Sequence, residues 1–265
     1  DVSLKQFRRL GYVVLHEALK PSTVSWMAAR VATVMENPTD LWPLSGEICA
    51  FSDFMRDERL ASFFDIMYDS TCNTLRAILG NDFRFVGHND IGVNRNVDWH
   101  KDQLNGFYRS YEKISPWSND PATGKAMDIV KVAAYLQSHE DNPCGLTLVP
   151  GSHRNRSIDV QEESFGSNSL PTALGDVVIF DQRITHRGSR GDDNCKGRRI
   201  LVSLGFARPG MHADDFERGT MMRQTLWNDL ETGYNAYSRR AEKKVKEDLR
   251  HQNYSRLFGA PASCC

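Results

Sequence analysis

Asp128-Ile129-Val130-Lys131-Val132-Ala133-Ala134-Tyr135-Leu136 alternates along its length, and the texture returns at Leu146-Thr147-Leu148-Val149, Asp176-Val177-Val178-Ile179-Phe180 and Ile200-Leu201-Val202-Ser203-Leu204-Gly205-Phe206. A period of two marks strands whose alternate side chains face a core. Phe83-Arg84-Phe85-Val86 opens the series. Each run is bounded by Gly, Pro or Asn/Asp clusters, and no helical pattern stands between them. Short strands joined by turns pair antiparallel. The expected core is therefore an antiparallel barrel or jelly roll, and not a βαβ sheet.

Upstream of residue 83 the periodicity is helical. Leu4, Phe7 and Leu10 predict a helix stopped by Gly11, before a short strand Tyr12-Val13-Val14-Leu15. Pro21 followed by Val24, Met27, Ala28, Val31 and Met35 predicts a second helix. A third is expected over 57–79, ending at Gly80, with Leu60, Phe63, Phe64, Met67 and Leu75 as its buried face. Helix returns from about Asp215 to Leu249, where the charged run Arg239 to Arg250 reads as a solvated face. The expected class is mainly β with flanking helices, in one domain over 1–265: helical 1–82, β-core 83–206, helical tail 207–265.

Lys+Arg number 33 and Asp+Glu 34 in the 265 residues, a formal net charge of −1. Such balance exerts no pull toward nucleic acid. No apolar run approaches the roughly 20 residues of a membrane span, and nothing at the start reads as a secretory leader. Cys49, Cys72, Cys144, Cys195, Cys264 and Cys265 form no C-x-x-C pair, and their scatter suits a reducing compartment. A terminal Cys-Cys pair alone is a weak prenylation signal. A cytoplasmic monomer or weak dimer acting on a small molecule is expected. No Gly-x-Ser-x-Gly elbow and no Gly-x-x-x-x-Gly-Lys loop occurs, so hydrolase and phosphate-loop readings lack their motifs.

Alternate residues at a strand end project side by side, so His-x-Asp can offer one nitrogen and one oxygen to a metal. Four such triplets occur: His88-Asn89-Asp90, His100-Lys101-Asp102, His139-Glu140-Asp141 and His212-Ala213-Asp214. His139 sits in a turn rich in Asp and Asn, and Asp214 or Asp215 suits a helix N-cap. His88-Asn89-Asp90, in or just after a strand, is the serious rival to His100-Lys101-Asp102. His186, between two strand patterns, is well placed as a third ligand. Two histidines and a carboxylate on one face of an iron leave three positions open.

Four ordered blocks resemble the phytanoyl-CoA dioxygenase-like family of Fe(II)- and 2-oxoglutarate-dependent oxygenases. They are Trp99-His100-Lys101-Asp102-Gln103; Gly145-Leu146-Thr147-Leu148-Val149-Pro150-Gly151-Ser152-His153-Arg154; Gly175 to Phe180 with His186-Arg187-Gly188; and Arg198-Arg199. Phe7…Gly11-Tyr12-Val13-Val14 also fits the family's opening. The resemblance implies a double-stranded β-helix (jelly roll, cupin-like) core with N- and C-terminal helices, His100, Asp102 and His186 as ligands of Fe(II), 2-oxoglutarate and O2 as co-substrates, and His153 as a turn residue. It also implies an arginine on the distal carboxylate of 2-oxoglutarate, where a bidentate charged pair suits Arg better than Lys. The loop after His186 is longer than the family's. Counting back from Phe206 favours Arg199 and counting forward from His186 favours Arg198. Asp102 separates the chain from the family's halogenating relatives, so hydroxylation is the default and desaturation or oxidative ring closure the variants.

Two other readings stand beside this one: a cupin-type metal enzyme without 2-oxoglutarate, and a non-catalytic jelly-roll binding module. Arg198-Arg199 counts against the first and the ordered blocks against the second. Lys131 is expected to be an exposed strand lysine; facing inward, it would meet an anionic substrate or the co-substrate. The segment 103–127 carries Phe107, Tyr108, Tyr111 and Trp117. It is either a substrate-covering lid or a loop packed on the barrel.

Overall fold

The computed structural model describes residues 2–38, 49–95, 97–104, 115–122, 124–140, 144–156, 166–188 and 199–232. Helix α1 (Val2–Leu10) runs into β1 (Tyr12–Leu15) through Gly11, whose φ of +83° lies in the left-handed region. A Cβ there would stand 2.5 Å from His153 Nδ1, so both the turn and the close approach of the ring require glycine. Helix α2 (Pro21–Glu36) starts on its proline, whose fixed φ and missing N–H suit a first turn. After β2 (Cys49–Ser52) and a 3₁₀ turn, α3 spans Phe63–Leu79. The expected start at Asp57 is corrected by six residues, because 54–62 is spent on short turns.

The strands that follow are β3 (Arg84–Val93), β4 (Ile129–Tyr135), β5 (Leu146–Leu148), β6 (Asn168–Ser169), β7 (Val177–Asp181), β8 (His186–Gly188) and β9 (Ile200–Ala207). Helix α4 (Met211–Thr232) closes the described chain. Residues 233–265, with the charged run and the terminal cysteines, lie outside the described residues. Among the described residues the strands form one sheet in the order β1-β7-β4-β9-β3-β2 and a smaller one in the order β6-β5-β8. Neighbours are antiparallel throughout. The jelly roll is thus observed.

Alternation sorts each strand's residues between two cores. Val130, Val132, Val177, Ile179, Val202, Leu204 and Phe206 meet α2 and α3 on the outside of the large sheet. Ala133, Tyr135, Val178 and Phe180 face inward and pack with Leu146, Leu148 and Leu170 of the small sheet's side. Each fully buried Leu, Ile or Phe contributes roughly 1.5–3 kcal/mol. The inner cluster is the floor on which the site is built.

Strand β3 is longer than the expected 83–86. A register shift between Phe85 and Asn89 carries it through to Val93 and puts His88 and Asp90 on one face. Helix α4 lies along β3: Phe216 packs with Val86 and Ile129, Arg84 pairs with Asp214 and Glu217, and Arg223 pairs with Asp90. Asp214 and Asp215 are therefore not the N-cap expected of them. The Met211 N–H is accepted instead by Asp120 Oδ2 at 2.6 Å. No described helix is long and apolar enough to cross a membrane. Cys72 and Cys144 are each disulfide-bonded, which removes scattered thiols as an argument for a reducing compartment.

Candidate metal centre

Residues 86 apart in the chain meet here through their backbones. His100 N–H donates to the His186 carbonyl at 2.9 Å, and His186 N–H returns the bond to His100 at 2.9 Å. This bridge joins the stretch after β3 to the start of β8, so the two rings stand with centroids 4.2 Å apart. Asp102 opens a 3₁₀ turn (Asp102–Leu104) two residues beyond His100. Its Oδ1 lies 3.5 Å from His100 Nε2 and its Oδ2 3.8 Å from His186 Nε2. One ligand atom from each residue lies within 4.8 Å of the others.

The second nitrogen of each ring decides its chemistry. His100 Nδ1 lies 2.7 Å from the Asp98 carbonyl, and His186 Nδ1 lies 3.0 Å from the Ile184 carbonyl. A carbonyl only accepts, so both rings donate from Nδ1, which leaves Nε2 as the atom each turns toward a metal. Burial, reinforced by the neighbouring His100, pushes the His186 imidazole down to about 3. Burial alone would raise Asp102, but Lys131 and the two histidines hold its carboxyl well below the ordinary range. Oδ2 is buried without an aligned hydrogen bond, although Lys131 Nζ lies 2.7 Å away. Two imidazole Nε2 atoms and an ionised, under-bonded oxygen are a donor set that fits non-haem iron.

Lys101, between the two motif residues, points the other way. It is almost wholly buried, and its Nζ donates to the carbonyls of Ser152 at 2.8 Å and Arg183 at 2.7 Å. Burial lowers its ammonium to about 8. One cation thereby fastens the His-x-Asp stretch to the Pro-Gly-Ser-His turn and to the turn before β8.

Arg199 precedes β9 on the face shared by Leu201, Ser203 and Gly205. Its Nη1 donates to the Cys144 carbonyl at 3.2 Å, and burial lowers its guanidinium. A Cβ on Gly188 would lie 3.9 Å from its Nη2. Gly188 is two residues, roughly 7 Å, along β8 from His186. Arg198 lies outside the described residues.

The other triplets are not part of this cluster. His88 is buried beside Asp90 and Ser203, 3.6 Å from Asp90 Oδ2, and burial lowers it to about 3. His139 packs edge-on against Tyr135, and its N–H is accepted by the Thr172 carbonyl. His212 lies against the Ser118 carbonyl. His153 is buried under Gly11, as a turn residue. Trp117 Nε1 donates to the His153 carbonyl at 3.0 Å and Arg183 to that of Pro116, so the described part of 103–127 is tied to the barrel. Phe107, Tyr108 and Tyr111 lie outside the described residues.

The exposed position expected for Lys131 is overturned: its side chain is 12% exposed and reaches Asp102 from inside the barrel. Its parity with Ala133 and Tyr135 was the available signal, but the strand pattern leaves open which face is covered. Gln182 and the Asp90–Arg223 pair were likewise not singled out. Gln182 is wholly buried, with neither amide atom hydrogen-bonded among the described residues.

A jelly roll with two histidines and an aspartate converging inside it defines the class of iron- and 2-oxoglutarate-dependent enzymes. Residues 7–199 match the profile of the family described as phytanoyl-CoA dioxygenase (PhyH), and the chain belongs to that family. No curated protein matches it. Among solved structures it is similar to HygX from Streptomyces hygroscopicus with nickel and 2-oxoglutarate bound, at TM-score 0.59 and 15% identity over 78% of this chain and 86% of that one. AviO1 from Streptomyces viridochromogenes Tue57 gives TM-score 0.57 and 17% identity over 78% and 94%. The alpha ketoglutarate dependent carbocyclase SnoK from nogalamycin biosynthesis gives 0.56 and 17% over 80% and 87%. These likenesses show the fold. Membership of the family makes the chain a non-haem dioxygenase-type enzyme and sets aside the non-catalytic module.

Proposed function

We propose that this protein oxidises an unactivated C–H bond of a small molecule, with His100, Asp102 and His186 holding iron and Arg199 holding 2-oxoglutarate. The convergence of the three side chains inside the jelly roll carries this reading. Bound iron would supply activation of O2, coupled to loss of CO2 from 2-oxoglutarate and release of succinate. His100 and His186 would bind through Nε2, because the Asp98 and Ile184 carbonyls hold the protons on Nδ1. Asp102 would contribute the single negative charge, with Lys101 pinning the backbone between the two motif ligands. The Arg199 guanidinium, one strand repeat from His186, would form a charged pair with the far carboxylate of the co-substrate. Phe180, Tyr135 and Leu148 would form apolar walls that keep water from the reacting centre. Hydroxylation is the default outcome, and placement of the substrate decides for desaturation or ring closure.

The experiment is anaerobic titration of the Ni(II)-loaded protein with 2-oxoglutarate. Arg199→Ala should weaken binding at least about tenfold, since a hydrogen bond to a charged group is worth about 1.5–3 kcal/mol. Arg198→Ala should change it little. A larger loss at Arg198 would move the co-substrate anchor to that residue. Absence of binding in the wild type would overturn the reading.

A further inference from the structure

On the reading proposed above, three side chains hold the metal, and each needs a partner that fixes its direction. Two have theirs on the backbone. His100 Nδ1 donates to the Asp98 carbonyl at 2.7 Å, and His186 Nδ1 to that of Ile184 at 3.0 Å. The Asp102 carboxylate is held differently. Among the described residues its Oδ2 has no aligned hydrogen bond. The last torsion of an aspartate is a broad, nearly two-fold rotor, so the backbone does not decide which oxygen faces the histidines.

What decides it is an ion pair. Lys131 Nζ lies 2.7 Å from Oδ2, with 12% of the lysine side chain and 9% of the aspartate exposed. Solvent and salt screen such a pair little. On the sheet Lys131 is in register with Phe180 of β7, and the ammonium lies 5.8 Å from the centroid of that ring. The same ring packs edge-on against His186, with centroids 5.0 Å apart. One phenyl group thus backs both the lysine and a prospective metal ligand.

The kind of cation matters. Arg223 grips both oxygens of Asp90, at 2.7 and 2.8 Å, and its planar fork leaves that carboxylate closed. An ammonium is a compact point charge. Here its short contact is with Oδ2, while Oδ1 lies 3.5 Å from His100 Nε2. A carboxylate held in this way offers a metal one oxygen. Two nitrogens and one oxygen leave three positions open at iron, and a carboxylate using both oxygens would close one of them. We propose that Lys131 is a positioning residue for the metal site, holding one oxygen of Asp102 so that the other is kept for the metal. The proposal rests on the ligand set given above, and Lys131 acts through Asp102 alone.

The test is a double-mutant cycle on the full-length protein, read by calorimetric titration with Ni(II). Lys131→Met should weaken Ni(II) binding at least about tenfold. In an Asp102→Ala background the same substitution should change Ni(II) affinity by less than about threefold, because nothing is left for the lysine to hold. Lys131→Gln, equally uncharged, completes the cycle should the Met variant fail to fold. At saturating Co(II), the visible d–d bands should shift in Lys131→Met. They should stay in place in Arg223→Met, which loosens α4 from β3 in the same barrel. Unchanged Ni(II) affinity in the neutral Lys131 variants, or an equal loss in the Asp102→Ala background, would overturn the proposal. So would loss of 2-oxoglutarate from a variant whose Ni(II) affinity is intact, by making Lys131 a co-substrate ligand. A wild type that takes up no Ni(II) would sink the ligand set itself, before any lysine variant is compared.

Discussion

Asp102 is surrounded by three nitrogens from three places in the chain: His100 two residues away, Lys131 on β4 and His186 on β8. Only the first could be seen as local spacing. His88 and Asp90 have the same spacing and still face a different neighbour, because Arg223 occupies both oxygens of Asp90. An aspartate gripped in this way has little to offer a metal, whereas Asp102 keeps an oxygen without an aligned hydrogen bond. We therefore expect His100→Ala, Asp102→Ala and His186→Ala each to weaken Ni(II) or Fe(II) binding by at least about tenfold and to abolish turnover. His88→Ala and His139→Ala should leave metal affinity within about threefold. Metal titration of the purified variants checks this, and loss of metal from His88→Ala with retention in His100→Ala would reverse the assignment.

Two ties between elements hold this arrangement in place. The first is Lys101, whose two backbone acceptors belong to turns 51 and 82 residues away in sequence. Replacing it by Met leaves the Arg183 carbonyl without that donor, at about 1–3 kcal/mol for an unsatisfied group, while the Ser152 carbonyl keeps the Asn155 N–H at 3.1 Å. Urea unfolding of Lys101→Met should show a loss of about 1–3 kcal/mol, together with weaker metal binding, since the ligand stretch loses its anchor. An unchanged midpoint would mean that water replaces the ammonium. The second tie is Arg223, by which α4 is fastened to β3. Arg223→Met strands the half-buried Asp90 carboxylate, so a loss of about 1–3 kcal/mol is expected from the same measurement. Asp90→Asn on that background should recover part of it, because the stranded charge is gone.

Across the whole molecule, acid should act through histidines that are buried uncharged. Burial lowers His88 to about 3 and His139 to about 4, against about 6.5 in the unfolded chain. Between those values the unfolded state binds more protons than the folded one, so stability rises with pH through this window and falls as pH drops from 6.5 toward 4. Each such group contributes a slope of about 1.4 kcal/mol per pH unit. Chemical denaturation of the metal-free protein at pH 7, 6, 5 and 4 should show this decline, and His139→Gln should make it shallower. A stability flat from pH 7 to 4 would mean that neither ring is held neutral.

The chain's alternation determined the strands at 129–135, 146–148, 177–181 and 200–207, and with them the jelly roll, because a period of two is a local property of backbone geometry. It also determined the two helices before residue 37, through apolar spacing, a proline start and a glycine stop. The ordered motifs point to His100, Asp102 and His186, which the fold brings together, and leave Arg198 and Arg199 as alternatives. The tertiary structure alone decided which face of β4 is covered, and so brought Lys131 from expected solvent to the side of Asp102. It alone continued β3 past residue 86, through a register shift no local pattern announces, and set Arg223 on Asp90 and Lys101 on two distant carbonyls. The Lys101 and Arg223 contacts join residues 51 to 133 apart, and at such separations a strand's own pattern says that a side chain is inside, not what it will meet there.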